Sequence, residues 1–321
     1  MGENELMTSL RLVFAGSPAA AVPSLAALAA GPHEVAAVVT REDSPQGRRG
    51  ILTPTPVATL ADELGIPTIK ANRLAGDATE AITAVRADLG VIVAYGGLVR
   101  EPLLSAPKHG WINLHFSLLP RWRGAAPVQH SIIAGDDLTG ATVFQLVPEL
   151  DAGDVFGQFT RSIGVHETAG HLLDSLAVSG AELLAAVVDT IASGEARAEP
   201  QVGDITLAPK LTLADGHVDF ARPAHDVVNR VRGVTPEPGA STTLDGARLK
   251  IIDAVIARDA PRLAPGHLAQ EGKLILIGTA THPVELLMVH PAGRKAMDAG
   301  SWWRGRAADA SSVAEFTGAN R

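Results

Sequence analysis

Leu10-Arg-Leu-Val-Phe-Ala15, then Gly16-Ser17-Pro18, then Ala19 to Ala30, reads as a buried strand, a tight turn and a helix. The alternation repeats downstream. Glu34 to Thr40 is a strand, Pro56 to Leu64 a helix leading to Pro67-Thr-Ile-Lys70, Asp77 to Arg86 a helix, and Leu89 to Tyr95 another apolar strand. Continuously apolar strands separated by helices predict a mainly parallel sheet covered on both faces. Trp111–His115, Ala141–Val147 and Val155–Arg161 add strands. A long helix from about Glu167 to Ser193 closes this half, with Leu172, Leu176, Leu183, Leu184 and Val187 at helical spacing on its core face.

The texture changes after Gly194. Residues 195–206 are polar and mixed, as in a linker, and from Gly216 onward short strands alternate with turns. Gly239–Leu244, Arg248–Ile256, Lys273–Gly278 and Val284–Val289 read as strands, with Asp245-Gly246 as a hairpin turn and one helix from Pro223 to Gly233. These elements predict a small barrel of about 100 residues. The chain is therefore α/β, followed by a β-rich domain.

At 321 residues, with 46% apolar and 19% charged residues, the chain is an ordinary globular protein long enough for two domains. Gly, Pro, Asp or Arg interrupts every long apolar run, so no membrane span is expected. The acidic Met1-Gly-Glu-Asn-Glu-Leu-Met7 lacks a secretory pattern, and Met7 offers a second start. With no cysteine, disulfides, thiolate catalysis and Cys-ligated zinc are excluded, which suits a cytoplasmic setting. Nothing demands more than a monomer. Gly16-Ser17-Pro18 is not a dinucleotide fingerprint, and no Gly-rich triphosphate loop is present.

The net charge is −8, unevenly spread. Residues 1–200 carry 13 Lys and Arg against 22 Asp and Glu, whereas residues 201–321 carry 14 against 13. Any contact with a polyanion must use local basic patches. Two are evident: Arg41, Arg48 and Arg49 in one loop, and Arg294, Lys295, Arg304 and Arg306 near the C-terminus. Each reads equally well as a solvated surface.

Chemistry concentrates between Trp111 and Asp154. Asn113 and His115 are two apart on an apolar strand, so both project to one face while Ile112 and Leu114 project to the other. In an open parallel sheet, ligands bind beyond the carboxyl ends of the strands, where this pair lies. An amide can donate to a developing oxyanion, and an imidazole can carry a proton near neutral pH. Either residue alone reads as a strand-end cap; the pair favours a site. Asp151, in Glu149-Leu-Asp-Ala-Gly-Asp154, reads as a turn residue. It reads equally as a carboxylate partner for His115, if a neighbouring parallel strand brings it to the same sheet edge. Arg121 and Arg123 flank Trp122 and suit either a phosphate or carboxylate grip or a solvated loop.

Asn113-x-His115-x-Ser117-Leu-Leu-Pro120-x-x-Arg123-Gly-x-x-Pro127, with Leu150-Asp151-x-Gly153-Asp154, resembles the signature of the folate-dependent formyltransferases. Phe14-Ala-Gly-Ser-Pro18, Val93-Ala-Tyr-Gly96, Ala208-Pro-Lys-Leu211, Pro236-x-Pro-Gly239 and Pro291 to Met297 extend the likeness over nearly all of residues 8–305. The branch resembled is the one that acts on initiator methionyl-tRNA with 10-formyltetrahydrofolate as formyl donor and no metal. The resemblance implies a Rossmann-like catalytic domain followed by an OB-like β-barrel. Residues 1–8 are then an N-terminal extension, 9–194 the catalytic domain, 195–206 the linker and 207–321 the tRNA-binding domain. It further implies that Asn113 and His115 stabilise the oxyanion and that Asp151 positions His115 and a water. Ser117, Leu118, Leu119 and Pro120 line the folate site, and Arg41, Arg48, Arg49, Arg294 and Lys295 contact tRNA. Two departures stand out. Phe116 replaces a Gly found in some relatives, implying a bulkier pocket wall, and Glu42 and Asp43 make the Thr40–Gly50 loop less basic.

Other readings compete. An amino-sugar-nucleotide formyltransferase shares the motif and a β-rich second domain, but the arginine-bearing segments favour tRNA. A glycinamide ribonucleotide formyltransferase needs no second domain, and a formyltetrahydrofolate hydrolase replaces the amine with water. A non-catalytic RNA-binding module has no need for Asn113, His115 and Asp151 together.

Overall fold

Each apolar run ends where a turn residue or helix start intervenes, and this punctuation sets the element order. Strand β1 (Arg11–Gly16) runs through a 3-10 turn into α1 (Val22–Ala30), with Pro23 in the first helical turn, where its missing N–H costs nothing. After β2 (Glu34–Thr40) comes a hairpin of β3 (Ser44–Gln46) and β4 (Ile51–Thr53), in a segment expected to be a loop. Helix α2 (Pro56–Glu63) is capped by Thr55, whose hydroxyl accepts from Ala58 N at 3.0 Å. Next are β5 (Thr68–Lys70), α3 (Asp77–Ala84), β6 (Leu89–Val93), β7 (Trp111–His115), β8 (Arg123–Gly124) and α4 (Pro127–Ala134). Then come β9 (Leu138–Gln145), β10 (Val155–Ser162), α5 (Ala169–Ser193) and β11 (Leu207–Ala208). The chain ends with α6 (Ala224–Gly233), β12 (Ala240–Leu244), β13 (Ala247–Ile256), β14 (Leu268–Glu271), β15 (Leu274–Ile277), β16 (Val284–Pro291), β17 (Met297–Asp298) and α7 (Ala299–Arg304).

The computed structural model describes residues 9–47, 50–307 and 312–316. They divide into two units. The first holds the chain up to Pro127 with Thr139–Arg161 and Leu173–Ala208; the second holds Val128–Leu138, Ser162–Leu172 and the chain from Pro209. The expected extension at residues 1–8 lies outside the described residues, as do Arg48 and Arg49.

In the first unit a seven-stranded sheet runs β10-β9-β7-β6-β1-β2-β5. Five adjacent strands, β7 through β5, are parallel, which gives the Rossmann-like character expected from sequence. β9 pairs antiparallel with β7, His115 facing Thr142 and Ile112 facing Gln145. The idea that a parallel neighbour brings Asp151 to the His115 edge is therefore wrong. The eight residues of β9, Leu138–Gln145, run back towards the start of β7, so Asp151 must return along a loop. On one sheet face, Val13, Ala15, Ile92 and Trp111 pack with Ile82 of α3 and Leu103. Leu114 faces the other way, against Gly180 of α5. Helix α5 is long and apolar enough to cross a membrane on length and composition alone. Leu176, Leu184 and Val188 on its inner stripe are buried, as in a core helix.

The second unit is an antiparallel sheet in the order β12-β13-β16-β15-β14, with β17 beside β16. Asp245 and Gly246, both at positive φ, make the two-residue turn between β12 and β13 that the sequence predicts. Residues 312–316 bridge both edges of the curled sheet: Glu315 pairs with Thr243 on β12, and Val313 with His267 beside β14. The sheet curls into an OB-like half-barrel around Phe220, Val231, Ile251, Ile275 and Leu286.

Gly90 on β6 faces Trp111 in register, and a Cβ there would lie 2.2 Å from the indole ring. Trp111 lies flat over that gap, its indole N–H donating to Leu103 O at 2.8 Å. Gly90→Ala is expected to cost about 1–3 kcal/mol by overpacking and to lower the thermal midpoint by several degrees. An unchanged midpoint in calorimetry would mean that the indole moves aside freely.

Candidate active site

β7 delivers two polar side chains to one sheet face at its carboxyl end. Asn113 is half-buried, opposite Ile92 on β6 and Phe144 on β9. Among the described residues, none hydrogen-bonds to its amide. Its donors are therefore available to an incoming oxygen.

His115 is buried, its ring edge-on to Phe144 with centroids 6.4 Å apart. Nε2 lies 2.8 Å from Trp122 O. A carbonyl only accepts, so Nε2 carries the proton and Nδ1 keeps its lone pair in the neutral ring. Nδ1 faces Asp151 Oδ2 at 3.8 Å, with the two side chains 7% and 12% exposed. That separation is too long for a hydrogen bond but short enough for strong charge coupling. Burial pushes His115 below its ordinary pKa of 6.5; the Asp151 charge and the Trp122 bond push upward but do not prevail. The imidazole is neutral at physiological pH and ready to accept a proton at Nδ1.

Asp151 sits at φ +45°, a left-handed conformation, on the loop between β9 and β10. Its Oδ2 accepts from Gly124 N at 2.7 Å, and Gly124 belongs to β8, which pairs with β11. A Cβ on Gly124 would come 2.6 Å from Ala208 O, so only glycine allows this pairing. Trp122, at φ +60°, offers its carbonyl to His115, while its N–H donates to Thr206 Oγ1 at 2.8 Å. β8 and the residue just before it thus touch both members of the pair.

The family resemblance implies that Ser117–Pro120 line a folate site. The Ser117 hydroxyl donates to Arg121 O at 2.6 Å, and its carbonyl accepts from Thr142 Oγ1 at 2.7 Å. Leu119 and Pro120 are buried, and Leu118 is the least buried of the four. The Phe116 ring lies with Leu114 against Gly180 of α5. The Arg123 guanidinium does not reach outward either, since Nε and Nη2 donate to Gln201 Oε1 at 3.2 and 2.6 Å. Arg121 stacks over the Trp122 ring at 5.3 Å. Gln201 Nε2 in turn donates to the carbonyls of Asp151 and Gly153, at 2.8 and 2.9 Å. Gln201 and Thr206 lie in the polar segment read as a linker, where a single Gln or Thr has no spacing signature.

Arg41, expected at a tRNA contact, donates through Nε to Tyr95 O at 3.2 Å and through Nη2 to Gly96 O at 2.7 Å. Arg294 and Lys295 are exposed on the turn between β16 and β17 of the second unit. The structure brings Asn113, His115 and Asp151 together.

Residues 10–188 match the formyl transferase family, and residues 210–307 match the formyl transferase C-terminal domain. A methionyl-tRNA formyltransferase of Clavibacter sepedonicus is 63% identical over 296 residues, covering 92% of this chain and 97% of that protein. Another from Leifsonia xyli subsp. xyli is 61% identical over 301 residues, covering 94% and 99%. An N-formyltransferase from Helicobacter canadensis, solved with folinic acid and dTDP-3-aminofucose, superposes with a TM-score of 0.67 over 86% of this chain and 98% of that one. At 16% identity, that likeness is one of fold. With a match across more than half of its length and relatives above 60% identity over nearly all of it, the chain belongs to the formyl transferase family.

Proposed function

We propose that this chain transfers the formyl group of 10-formyltetrahydrofolate to the amino group of methionine on initiator methionyl-tRNA, for translation initiation. The observation that carries this reading is the convergence, at the carboxyl end of β7, of an amide with no hydrogen-bond partner among the described residues, a neutral imidazole and a carboxylate. The chain around that site is 63% identical to a methionyl-tRNA formyltransferase. An amino-sugar nucleotide is not favoured as acceptor, since the sugar N-formyltransferase from Helicobacter canadensis shares the fold at only 16% identity.

The residues divide the work by chemistry. As the methionine nitrogen bonds to the formyl carbon, the carbonyl oxygen gains charge, and the Asn113 amide donates to it. His115 Nδ1 takes the proton released by the amine. The imidazolium so formed faces the Asp151 carboxylate, which stabilises it where burial alone would oppose it. His115 can then donate to the oxyanion and return the proton to the departing folate nitrogen as the old C–N bond breaks. Ser117–Pro120 line the folate site in this reading, Leu118 as the most open member. Arg48 and Arg49, with Arg294 and Lys295, supply positive charge to tRNA phosphates; Arg41 acts from a position fixed by the Tyr95 and Gly96 carbonyls. The enzyme works in the cytoplasm, free of the membrane, and as a monomer, the last of which sedimentation of the purified protein tests.

Purified protein with 10-formyltetrahydrofolate should formylate charged initiator tRNA, and no product with that acceptor would sink the proposal. His115→Ala should lower kcat by about 10²–10⁴-fold with KM for both substrates little changed.

The free enzyme's acid limb should lie below pH 6.5, because burial lowers the His115 pKa from that value. Asp151 raises that pKa, so in Asp151→Asn the residual activity should titrate at still lower pH. A limb that moved upward in kcat/KM profiles would contradict the assignment.

Replacing Arg294 and Lys295 by Ala should weaken tRNA binding and make log Kd less steep in log salt, by about one unit of slope per lost phosphate contact. Filter binding across a salt series reads this directly.

A further inference from the structure

Asp151 holds a left-handed backbone conformation while its carboxylate is aimed at His115, and neither feature is set by the loop alone. Gln201 reaches both sides of the bend. Its Nε2 donates to the carbonyls of Asp151 and Gly153, at 2.8 and 2.9 Å. Its Oε1 accepts two N–H groups from Arg123, at 3.2 and 2.6 Å. Arg123 stands between Trp122, whose carbonyl fixes the His115 tautomer, and Gly124, whose N–H fixes the Asp151 carboxylate. One amide side chain therefore ties the loop that bears the carboxylate to the Trp122–Gly124 segment that orients both partners.

We infer that Gln201 is a positioning residue for formyl transfer, holding the Asp151 carboxylate in register with His115 Nδ1. The inference rests on the proposed formylation of initiator methionyl-tRNA. The chemistry requires an amide at this position. A carboxylate keeps the Arg123 contact but sets an oxygen against two carbonyl oxygens, and a leucine of similar size makes neither contact. Thr206 assists from the same segment by accepting from Trp122 N.

The test is a double-mutant cycle on the full-length protein with initiator methionyl-tRNA and 10-formyltetrahydrofolate. Gln201→Glu should lower kcat by about 10²-fold, the scale of an ångström's displacement of a reacting group, with KM for both substrates within about twofold. In an Asp151→Asn background the same substitution should lower kcat by less than about twofold, because the carboxylate it would misplace is absent. A merely structural role predicts the same fractional loss in both backgrounds, tracking the loss of thermal stability, and that result overturns the inference. Unchanged kcat in Gln201→Glu, or unimpaired Asp151→Asn, overturns it as well. Should Gln201→Glu fail to fold, Gln201→Asn, which keeps both functions on a shorter stem, takes its place in the same cycle with the same two outcomes. Failure of the wild-type protein to formylate the tRNA would instead sink the proposed function, so the two failures are distinct.

Discussion

The hydrogen bond from His115 Nε2 to the Trp122 carbonyl sets the terms for the rest of the site. Because a carbonyl cannot donate, the bond leaves a single nitrogen, Nδ1, to handle protons. Burial keeps the ring neutral, so that nitrogen starts empty. The carbonyl must then be held still, and the loop after β7 is arranged to do so. Ser117 bonds to Arg121 O, Thr142 bonds to Ser117 O, and Thr206 receives the Trp122 N–H. Three side chains from three segments converge on backbone groups of one short loop.

The carboxylate is delivered by a different route. Because β9 runs against β7, the chain leaves the sheet at the far end from His115 and returns along a bend. Trp122, Gly124 and Asp151 all lie at positive φ. Non-glycine residues in that region are uncommon, and they persist where surrounding contacts over-determine them. Here those contacts are the β8–β11 pairing, the Gly124 N–H and the Gln201 amide. Strained backbone and catalytic geometry are thus one construction.

Much of this was legible in the sequence, and the reasons are local. Period-two and period-3.6 patterns report burial directly, so Glu34–Thr40 and Trp111–His115 emerge with their observed bounds, and Asp245-Gly246 makes its predicted turn. Asn113 and His115 share a face because strand geometry requires it. What could not be read was partnership across long separations. The direction of β9 depends on how the chain returns, not on its own residues. Gln201 lies 50 positions from Asp151 and looks like any polar residue of a connecting segment. The approach of Phe116 to Gly180 of α5 likewise joins residues far apart in the chain. Arg41 is exposed, and its two acceptors are backbone carbonyls, which no sequence pattern displays.

The 3.8 Å gap between His115 and Asp151 follows from the work the pair must do. A direct hydrogen bond to Nδ1 would require a proton there in the resting state, and the ring could not then accept one from an amine. At this distance the carboxylate gains little while the imidazole is neutral. Once the ring is charged, the attraction is on the order of 4 kcal/mol at an effective dielectric constant near 20, before desolvation is subtracted. The interaction therefore strengthens as the reaction proceeds, which is the condition for it to raise kcat rather than merely tighten binding. A carboxylate held close but not bonded suits a general base that begins neutral, and holding it there is what the bend at Asp151 and its backbone contacts accomplish.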